Sequence, residues 1–163
     1  LAVFVGGFDA DAARAVAPGM SLDVLARLVD KSLITVIPAA QHRTRYRLLD
    51  TMQAYAAEQL ASANEVAAAR ARHLRYFSTI GIPAEYGFMS ARVVSLLEQW
   101  AADYGNVRAA LEWAAASEPC AGLRMLAEMK DLFFILLKNS NREIMFIKSQ
   151  SSRCYSSHFF QSV

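Results

Sequence analysis

The chain has few of the residues that carry catalysis, cross-linking or metal binding. Its 163 residues include two cysteines and three histidines, none of them at a metal-ligand spacing. The sequence has no glycine-rich phosphate loop, no HExxH motif and no nucleophile constellation. We therefore predict no enzymatic activity, no catalytic residue, and no bound cofactor or metal ion. Cysteines without a disulfide pattern are typical of a reducing compartment, so we expect a cytoplasmic protein.

Long apolar runs and a dominant charge of one sign are also missing. No stretch approaches the ~20 apolar residues that span a bilayer, and the first residues do not resemble a signal peptide, so we expect no membrane contact. Residues 1–129 hold 12 Lys and Arg against 13 Asp and Glu, whereas residues 130–163 hold 5 against 2. The first 129 residues are not a basic domain, and a general electrostatic argument for nucleic-acid binding fails.

The composition changes abruptly near residue 130. Residues 1–129 contain 29 alanines, whereas residues 130–163 contain no alanine, glycine or proline but seven serines. Three explanations stay open: a frameshifted or read-through segment, a native but unusual terminus, and foreign sequence joined at this point. We expect the helical region to end near Lys138 and the remaining residues to be poorly ordered. The chain begins at Leu1 and not with Met, which leaves two explanations open: a fragment, or an open reading frame with an unusual start.

Capping residues and apolar periodicity predict helices early in the chain. In chain order, the predictions are a helix end over residues 1–5 stopped by Gly6 and Gly7, a helix over residues 10–17 capped by Asp9, and a helix over residues 22–31 capped by Ser21. The apolar face of the last of these is formed by Leu22, Leu25, Leu28 and Val29.

A β-hairpin is predicted next, with strands over residues 33–37 and 45–48. Asp50 is expected to cap the helix that follows. Helix, strand, loop, strand and helix in this order predict a winged helix over residues 1–63. The expected core residues of this module are Leu25, Leu28, Leu33, Leu48, Met52 and Tyr55, with Ala56 and Leu60 also facing inward.

Residues from about 50 to 138 are predicted to be nearly all helical, and their small residues allow close helix packing. The fold is therefore expected to be mainly α, with a winged helix and its small hairpin followed by a helical array. The predicted breaks in this array lie at Ser62 to Asn64, at Gly81 with Pro83, and at Gly105; Ser90 is expected to cap the helix that contains Val93, Val94, Leu97 and Trp100.

Basic side chains on the predicted winged helix define a candidate contact surface for DNA or for a neighbouring domain. The helix over residues 22–31 carries Arg27 and Lys31, together with Asp23 and Asp30, which repel phosphate. Strand alternation places Arg43, Arg45 and Arg47 on one face, where they could grip phosphates. The alternatives are a solvated strand face and a face that meets an acidic neighbouring domain. His42 and His73 are expected to be solvated or partly buried, and Asp103 and Glu98 to be solvated helix charges.

Four segments resemble the winged helix and the following helices of bacterial STAND-type regulators, which are large AfsR/SARP-like and LuxR-like ATPases of actinobacteria. The resemblance covers about residues 1–129. The segments are Phe4 to Ala13, Leu25 to Leu33, Tyr46 to Ala56, and the later motifs Arg72-His73 with Tyr76-Phe77 and Asp103 to Ala114.

The resemblance implies a switch component and not a separate enzyme. In such regulators an NTPase module precedes the winged helix, which transmits its nucleotide state, and tetratricopeptide-like repeats follow; DNA is usually bound by another domain. It also implies that residues 1–63 are the winged helix, residues 64–129 the linker and first repeat helices, and residues 130–163 an unmatched tail. In related proteins a Met-His-Asp motif senses the ADP phosphate. Leu48, Leu49 and Asp50 lie at this position, where Leu49 cannot hydrogen-bond a phosphate.

Two functions therefore follow from the sequence. The first is a regulatory interaction segment, whose partners are the NTPase module of a parent protein and the neighbouring helical repeats. The second is a stand-alone winged-helix transcription factor, which predicts salt-dependent DNA affinity carried by Arg27, Arg43, Arg45 and Arg47. The charge of the first 129 residues and the acidic residues on the candidate recognition helix favour the first.

Overall fold

The computed structural model describes residues 1–37, 44–80 and 91–129, with residues 91–99 described as helix backbone alone. Over these residues the chain is mainly helical with one small antiparallel sheet, as the sequence predicts. In chain order the elements are β1 (Gly7–Asp9), α1 (Ala10–Val16), α2 (Leu22–Asp30), β2 (Ile34–Ile37), β3 (Arg45–Leu48), α3 (Asp50–Ser62), α4 (Val66–Ser78), α5 (Ala91–Ser117) and α6 (Pro119–Glu128).

The sheet confirms the predicted hairpin and adds a strand that the sequence pattern did not indicate. β3 lies in the centre, between β1 and β2. Val36 lies opposite Tyr46 on one side, and Phe8 lies opposite Tyr46 on the other. The segment before β1 is a turn, closed by a bond from the Phe4 N–H to the Leu1 carbonyl (3.2 Å). The prediction of a helix end at residues 1–5 is therefore wrong.

Three of the four predicted helix caps lie in the described residues, and two of these three are confirmed. The Asp9 carboxylate accepts a hydrogen bond from the Ala12 N–H (2.8 Å), and the Ser21 hydroxyl accepts one from the Val24 N–H (3.2 Å). Asp50 does not cap α3, because it is the first helical residue and the cap position belongs to Leu49. Asp50 instead lies in the first turn, where a negative charge is favourable beside the helix dipole.

One continuous core joins the sheet, α1 and α2 to the helices that follow. Its buried apolar residues come from both halves of the described chain, and they include Phe4, Phe8, Val16, Leu25, Ile34, Leu74, Phe77, Val107, Ala110, Ala114 and Met125. Leu28 and Leu48 are half-buried against this core. The winged helix and the helices after it are therefore packed as one body over the described residues.

Two predicted inward-facing positions are exposed in the structure, and several others are only half-buried. Leu22 is 59% exposed because it lies at the start of α2, before the helix meets the core. Tyr55 is 58% exposed, and α3 has no buried residue. α3 packs mainly against α4, with Met52, Ala56 and Leu60 only half-buried. Leu33 is likewise half-buried.

The predicted helix boundary at Gly105 is absent, whereas the one at Ser62 to Asn64 is confirmed. α3 ends at Ser62, and Asn64 adopts a left-handed conformation with φ +55°. α5, by contrast, runs without interruption through Gly105. A Cβ at Gly105 would lie 3.2 Å from Val5 Cγ1 and 3.3 Å from the Val5 carbonyl oxygen. The glycine therefore permits close helix–backbone approach and does not break the helix.

Several sequence predictions lie outside the described residues. These concern the hairpin loop with His42 and Arg43, Gly81, Pro83 and Ser90, the side chains of Val93, Val94, Leu97 and Glu98, and residues 130–163. Among the helices that are described, none combines the length and apolarity needed to cross a membrane.

Candidate functional site: the joint between the sheet and α5

Arg45 connects the sheet to α5 through a buried ion pair. Its side chain is 9% exposed, and one guanidinium nitrogen lies 2.6 Å from the Asp103 carboxylate, which is 5% exposed. The same nitrogen donates to the Gly7 carbonyl at 2.8 Å and to the Ala102 carbonyl at 3.1 Å. Arg45 thus contacts β1 and α5 at once, on the sheet face opposite the one that carries Tyr46.

Asn106 lies one helical turn after Asp103 and binds the backbone next to β1. Its side-chain oxygen accepts a hydrogen bond from the Val5 N–H at 2.7 Å. Its side-chain nitrogen donates to the Gly7 carbonyl at 2.8 Å. The side-chain amide of Asn106 therefore hydrogen-bonds the backbone groups of Val5 and Gly7, as a neighbouring strand would. The Gly7 oxygen accepts hydrogen bonds from both Asn106 and Arg45.

His73 on α4 completes the buried polar cluster. It is 2% exposed, and its Nε2 lies 3.5 Å from the Asn106 side-chain oxygen. The rings of Phe4 and Phe77 flank it, with centroids at 5.3 Å and 4.6 Å. Burial lowers the pKa of His73 to about 4, although the hydrogen bond to Asn106 opposes the change. His73 is therefore a buried neutral side chain, and the prediction of a surface or partly buried residue is corrected.

Two further side chains fasten α4 to the start of the winged helix. The Arg72 Nε donates to the Val16 carbonyl at 2.7 Å. The Tyr76 hydroxyl donates to the Asp9 carboxylate at 3.3 Å. Burial and the negative charge of Asp9 both raise the pKa of Tyr76 above its ordinary value, so that the phenol stays protonated. Asp9 therefore serves both the α1 cap and the contact with α4.

The candidate contact residues are only partly brought together. Arg27 on α2 and Lys31 just after this helix are exposed, as are Asp23 and Asp30. Arg47 is exposed and lies 3.4 Å from Asp50. Arg45, however, is buried against α5, so the expectation that it could grip a phosphate from a solvated strand face is wrong. The two exposed arginines and Lys31 remain candidates for a DNA or interdomain contact.

Leu48, Leu49 and Asp50, where the resemblance implies a nucleotide-sensing motif, lie largely at the surface of this chain. Leu48 is half-buried against the core, whereas Leu49 is 39% exposed and Asp50 is exposed. Among these three, only Asp50 carries a polar side chain, and its carboxylate pairs with Arg47. The side chains here offer no hydrogen-bond donor to a phosphate.

Sequence reasoning missed Asp103 and Asn106, which it took for surface residues or passed over. The usable signal was their spacing of three residues in an alanine-rich helix, which places both on one face. What that face contacts depends on tertiary packing. The polar groups of the joint bind one another and the backbone. In the described part of the chain, no group of three or more His, Cys, Asp or Glu could hold a metal ion.

The fold defines a winged helix-turn-helix module that continues into a packed helical region. Residues 1–61 match the family profile of the "Winged helix-turn-helix domain". The chain is homologous to proteins of Mycobacterium tuberculosis and Mycobacterium bovis that carry the name "Putative HTH-type transcriptional regulator". Each is 39% identical over 137 residues, covering 73% of this chain and 15% of the relative.

A second relative is similar to this chain over fewer residues. An uncharacterized protein of Mycobacterium tuberculosis is 39% identical over 83 residues, which cover 47% of this chain and 21% of that protein. No solved structure matches the chain significantly. The chain thus resembles helix-turn-helix transcriptional regulators and spans only about 15% of the length of the larger relatives it matches.

Proposed function

We propose that this chain is a regulatory segment of a cytoplasmic STAND-type transcriptional regulator of the AfsR/SARP-like or LuxR-like kind. In this proposal the winged helix receives the nucleotide state of an NTPase module elsewhere in the parent protein and passes it to a tetratricopeptide-like helical sensor. The segment itself binds no nucleotide and catalyses no reaction. Residues 1–63 are the winged helix, residues 64–129 begin the sensor, and residues 130–163 are a separate tail.

The observation that carries this proposal is the buried joint between Arg45 on β3 and Asp103 on α5. A relay needs a mechanical connection between the receiving module and the responding module. Arg45 and Asn106 supply that connection with buried and part-buried hydrogen bonds of 2.6–3.1 Å, and His73 lies 3.5 Å from Asn106. Hydrogen bonds have preferred directions and lengths. A rotation of the sheet therefore displaces α5 with it.

The outer surface of α2 supports the same reading. A recognition helix binds DNA through exposed Arg, Lys, Asn, Gln, Ser or Thr side chains. Here the exposed side chains include Asp23 and Asp30 beside Arg27, and an exposed Leu22. Mixed charge with an exposed leucine suits a protein partner better than a uniformly negative duplex.

The relay is tested on the full parent protein, which includes the NTPase module. Amide hydrogen exchange is measured once with ADP bound and once with a non-hydrolysable ATP analogue bound. Amides of β3 and of α5 near Asp103 should change their protection together when the nucleotide is exchanged. The matched comparison is α6, which is farther from the joint along the chain. Identical exchange in both nucleotide states would remove the relay from consideration.

A second candidate is a stand-alone winged-helix transcription factor, favoured by the exposure of Arg27, Lys31 and Arg47. It predicts tight, sequence-selective and salt-dependent DNA binding by the chain itself. The first proposal instead predicts only non-specific affinity, of about 10⁻⁴–10⁻⁶ M at physiological salt. Fluorescence anisotropy with duplexes of varied sequence separates these two functions.

A further inference from the structure

A buried ion pair such as Arg45–Asp103 contributes little net stability to a fold. Both side chains are more than nine-tenths buried, and removing two charges from water carries a large desolvation penalty. Apolar residues of similar volume at such positions are often as stabilising as the ion pair, or more so. Stability alone therefore does not account for a buried ion pair at this joint.

The residues of α5 around the pair indicate a second role for it, which concerns the register of this helix on the sheet. Where α5 meets the segment before β1, the contact is made at Gly105, which lies close to Val5, and the small residues Ala109 and Ala110 follow one turn later. Small residues pack closely but look alike from one helical turn to the next. Apolar contacts at these small residues therefore distinguish poorly between neighbouring registers of α5 on the sheet.

The hydrogen bonds of Arg45, by contrast, can form in only one register of α5 on the sheet. They require the Asp103 carboxylate, the Ala102 carbonyl and the Gly7 carbonyl to lie together around one guanidinium nitrogen. Asn106 adds a second fixed point, on Val5 and Gly7. A shift of α5 by one turn would leave both buried charges without partners. A single buried polar residue is known to set register in packed helices in this way.

We propose that the Arg45–Asp103 pair, together with Asn106, selects one register of α5 on the sheet. The winged helix and the helical region then move as one rigid unit. Arg45 and Asp103 are positioning residues in this arrangement. The inference rests on the proposed relay for its purpose, whereas the register itself is a property of this chain.

The test replaces both charges together and follows stability and geometry separately. Spin labels are placed at Ala26→Cys on α2 and Ala116→Cys on α5, both at exposed positions, in a chain that also carries Cys120→Ser and Cys154→Ser. The variant of interest is Arg45→Met with Asp103→Leu. Double electron–electron resonance gives the distance distribution between the labels, and thermal unfolding gives Tm.

We expect the parent labelled chain to give one narrow distance. The double variant should keep its Tm within a few degrees, while its distances broaden or split by roughly one helical turn, about 5 Å. Arg45→Met alone should lower Tm by several degrees more than the double variant does, because Asp103 then stays buried without its partner. The matched control is the exposed pair on the same helix, Arg108→Met with Glu112→Leu, which should change neither measurement.

Two results would overturn the inference. An unchanged narrow distance in the folded double variant would mean that apolar packing alone sets the register. A double variant that unfolds as readily as Arg45→Met alone, or fails to fold, would mean that the pair is needed for stability. Neither result bears on the relay, which fails instead if nucleotide exchange in the parent protein leaves β3 and α5 unchanged.

Discussion

Asn106 and Val5 are separated by 101 positions in the sequence, yet the Val5 N–H donates to the Asn106 side-chain oxygen over 2.7 Å. The same side chain donates to the carbonyl of Gly7. A residue on a long helix therefore completes the backbone hydrogen bonding of the segment that opens the sheet. The start of the winged helix depends on α5 for its polar partners, so the two parts are expected to unfold together.

Replacing Asn106 tests this dependence. Asn106→Leu should lower the free energy of unfolding by about 1–3 kcal/mol, because it removes the hydrogen-bond partner of the part-buried Val5 N–H. Urea denaturation followed by circular dichroism measures the change. Arg108→Leu, on the exposed side of the same helix, should cost less than about 0.5 kcal/mol. Equal effects of the two substitutions would contradict the proposed importance of the Asn106 bonds.

Gly105→Ala should not give the increase in stability that this substitution usually gives inside a helix. Gly→Ala inside a helix normally stabilises by roughly 0.5–1 kcal/mol. Here the added Cβ would meet Val5 Cγ1 at 3.2 Å and the Val5 carbonyl at 3.3 Å, so we expect Gly105→Ala to be neutral or destabilising. Combining it with Val5→Ala should recover part of the loss, since one of the two contacts disappears. A stabilised single variant in urea denaturation would show that α5 moves aside freely.

His73 should make the fold sensitive to mild acid. Burial lowers its pKa from 6.5 to about 4 in the folded chain, so the unfolded chain binds the proton more readily. The stability contributed by the neutral ring is fully present above pH 6.5 and is lost as the pH falls from 6.5 towards 4. The lost free energy is on the order of 3 kcal/mol.

The comparison variant for this pH dependence is His73→Gln, which has no titrating group. Carboxylates titrate in both proteins, so the difference between their unfolding free energies isolates the histidine. That difference should change with pH between 6.5 and 4 and stay constant above pH 7. A difference that does not vary with pH would show that the ring of His73 is not held in its neutral form by the fold.

Arg45 and Arg47 should behave oppositely although they lie on the same strand face. Arg45→Ala should destabilise the chain by about 3–5 kcal/mol, because Asp103 is left buried without its partner. Arg47 is exposed, so Arg47→Ala should change stability by less than about 0.5 kcal/mol. If it contacts phosphate, Arg47→Ala should also lower the salt dependence of non-specific DNA binding by roughly one counterion. A stable Arg45→Ala protein with reduced DNA affinity would reverse these assignments.

Nucleotide binding is expected to be absent from the chain by itself. The sequence has no phosphate loop, and Leu49 stands where the resemblance implies a phosphate-sensing histidine. Isothermal calorimetry with ADP and ATP should show no saturable heat. Micromolar ADP binding by this chain would place a nucleotide site here and remove the need for a separate NTPase module.

Local chemistry along the sequence determined most of the secondary structure. Asp9 and Ser21 are side-chain caps whose partners lie three residues away, so their roles could be predicted without the fold. The β-branched run at Ile34 and the alternation at Tyr46 likewise predicted the hairpin. Asp50 was misplaced by one residue, because an acidic residue suits both a cap and a first turn.

The tertiary structure decided which polar residues are surface groups and which form the joint. Strand alternation placed Arg45 and Arg47 on one face, but only the packing of α5 buries one and leaves the other in solvent. Gly105 looked like a helix boundary because glycine serves equally as a stop and as a site of close approach, and only the position of Val5 distinguishes these roles. Local propensity extends over a few residues, whereas the partners of Arg45, Asn106 and Gly105 lie about 60 to 100 residues away.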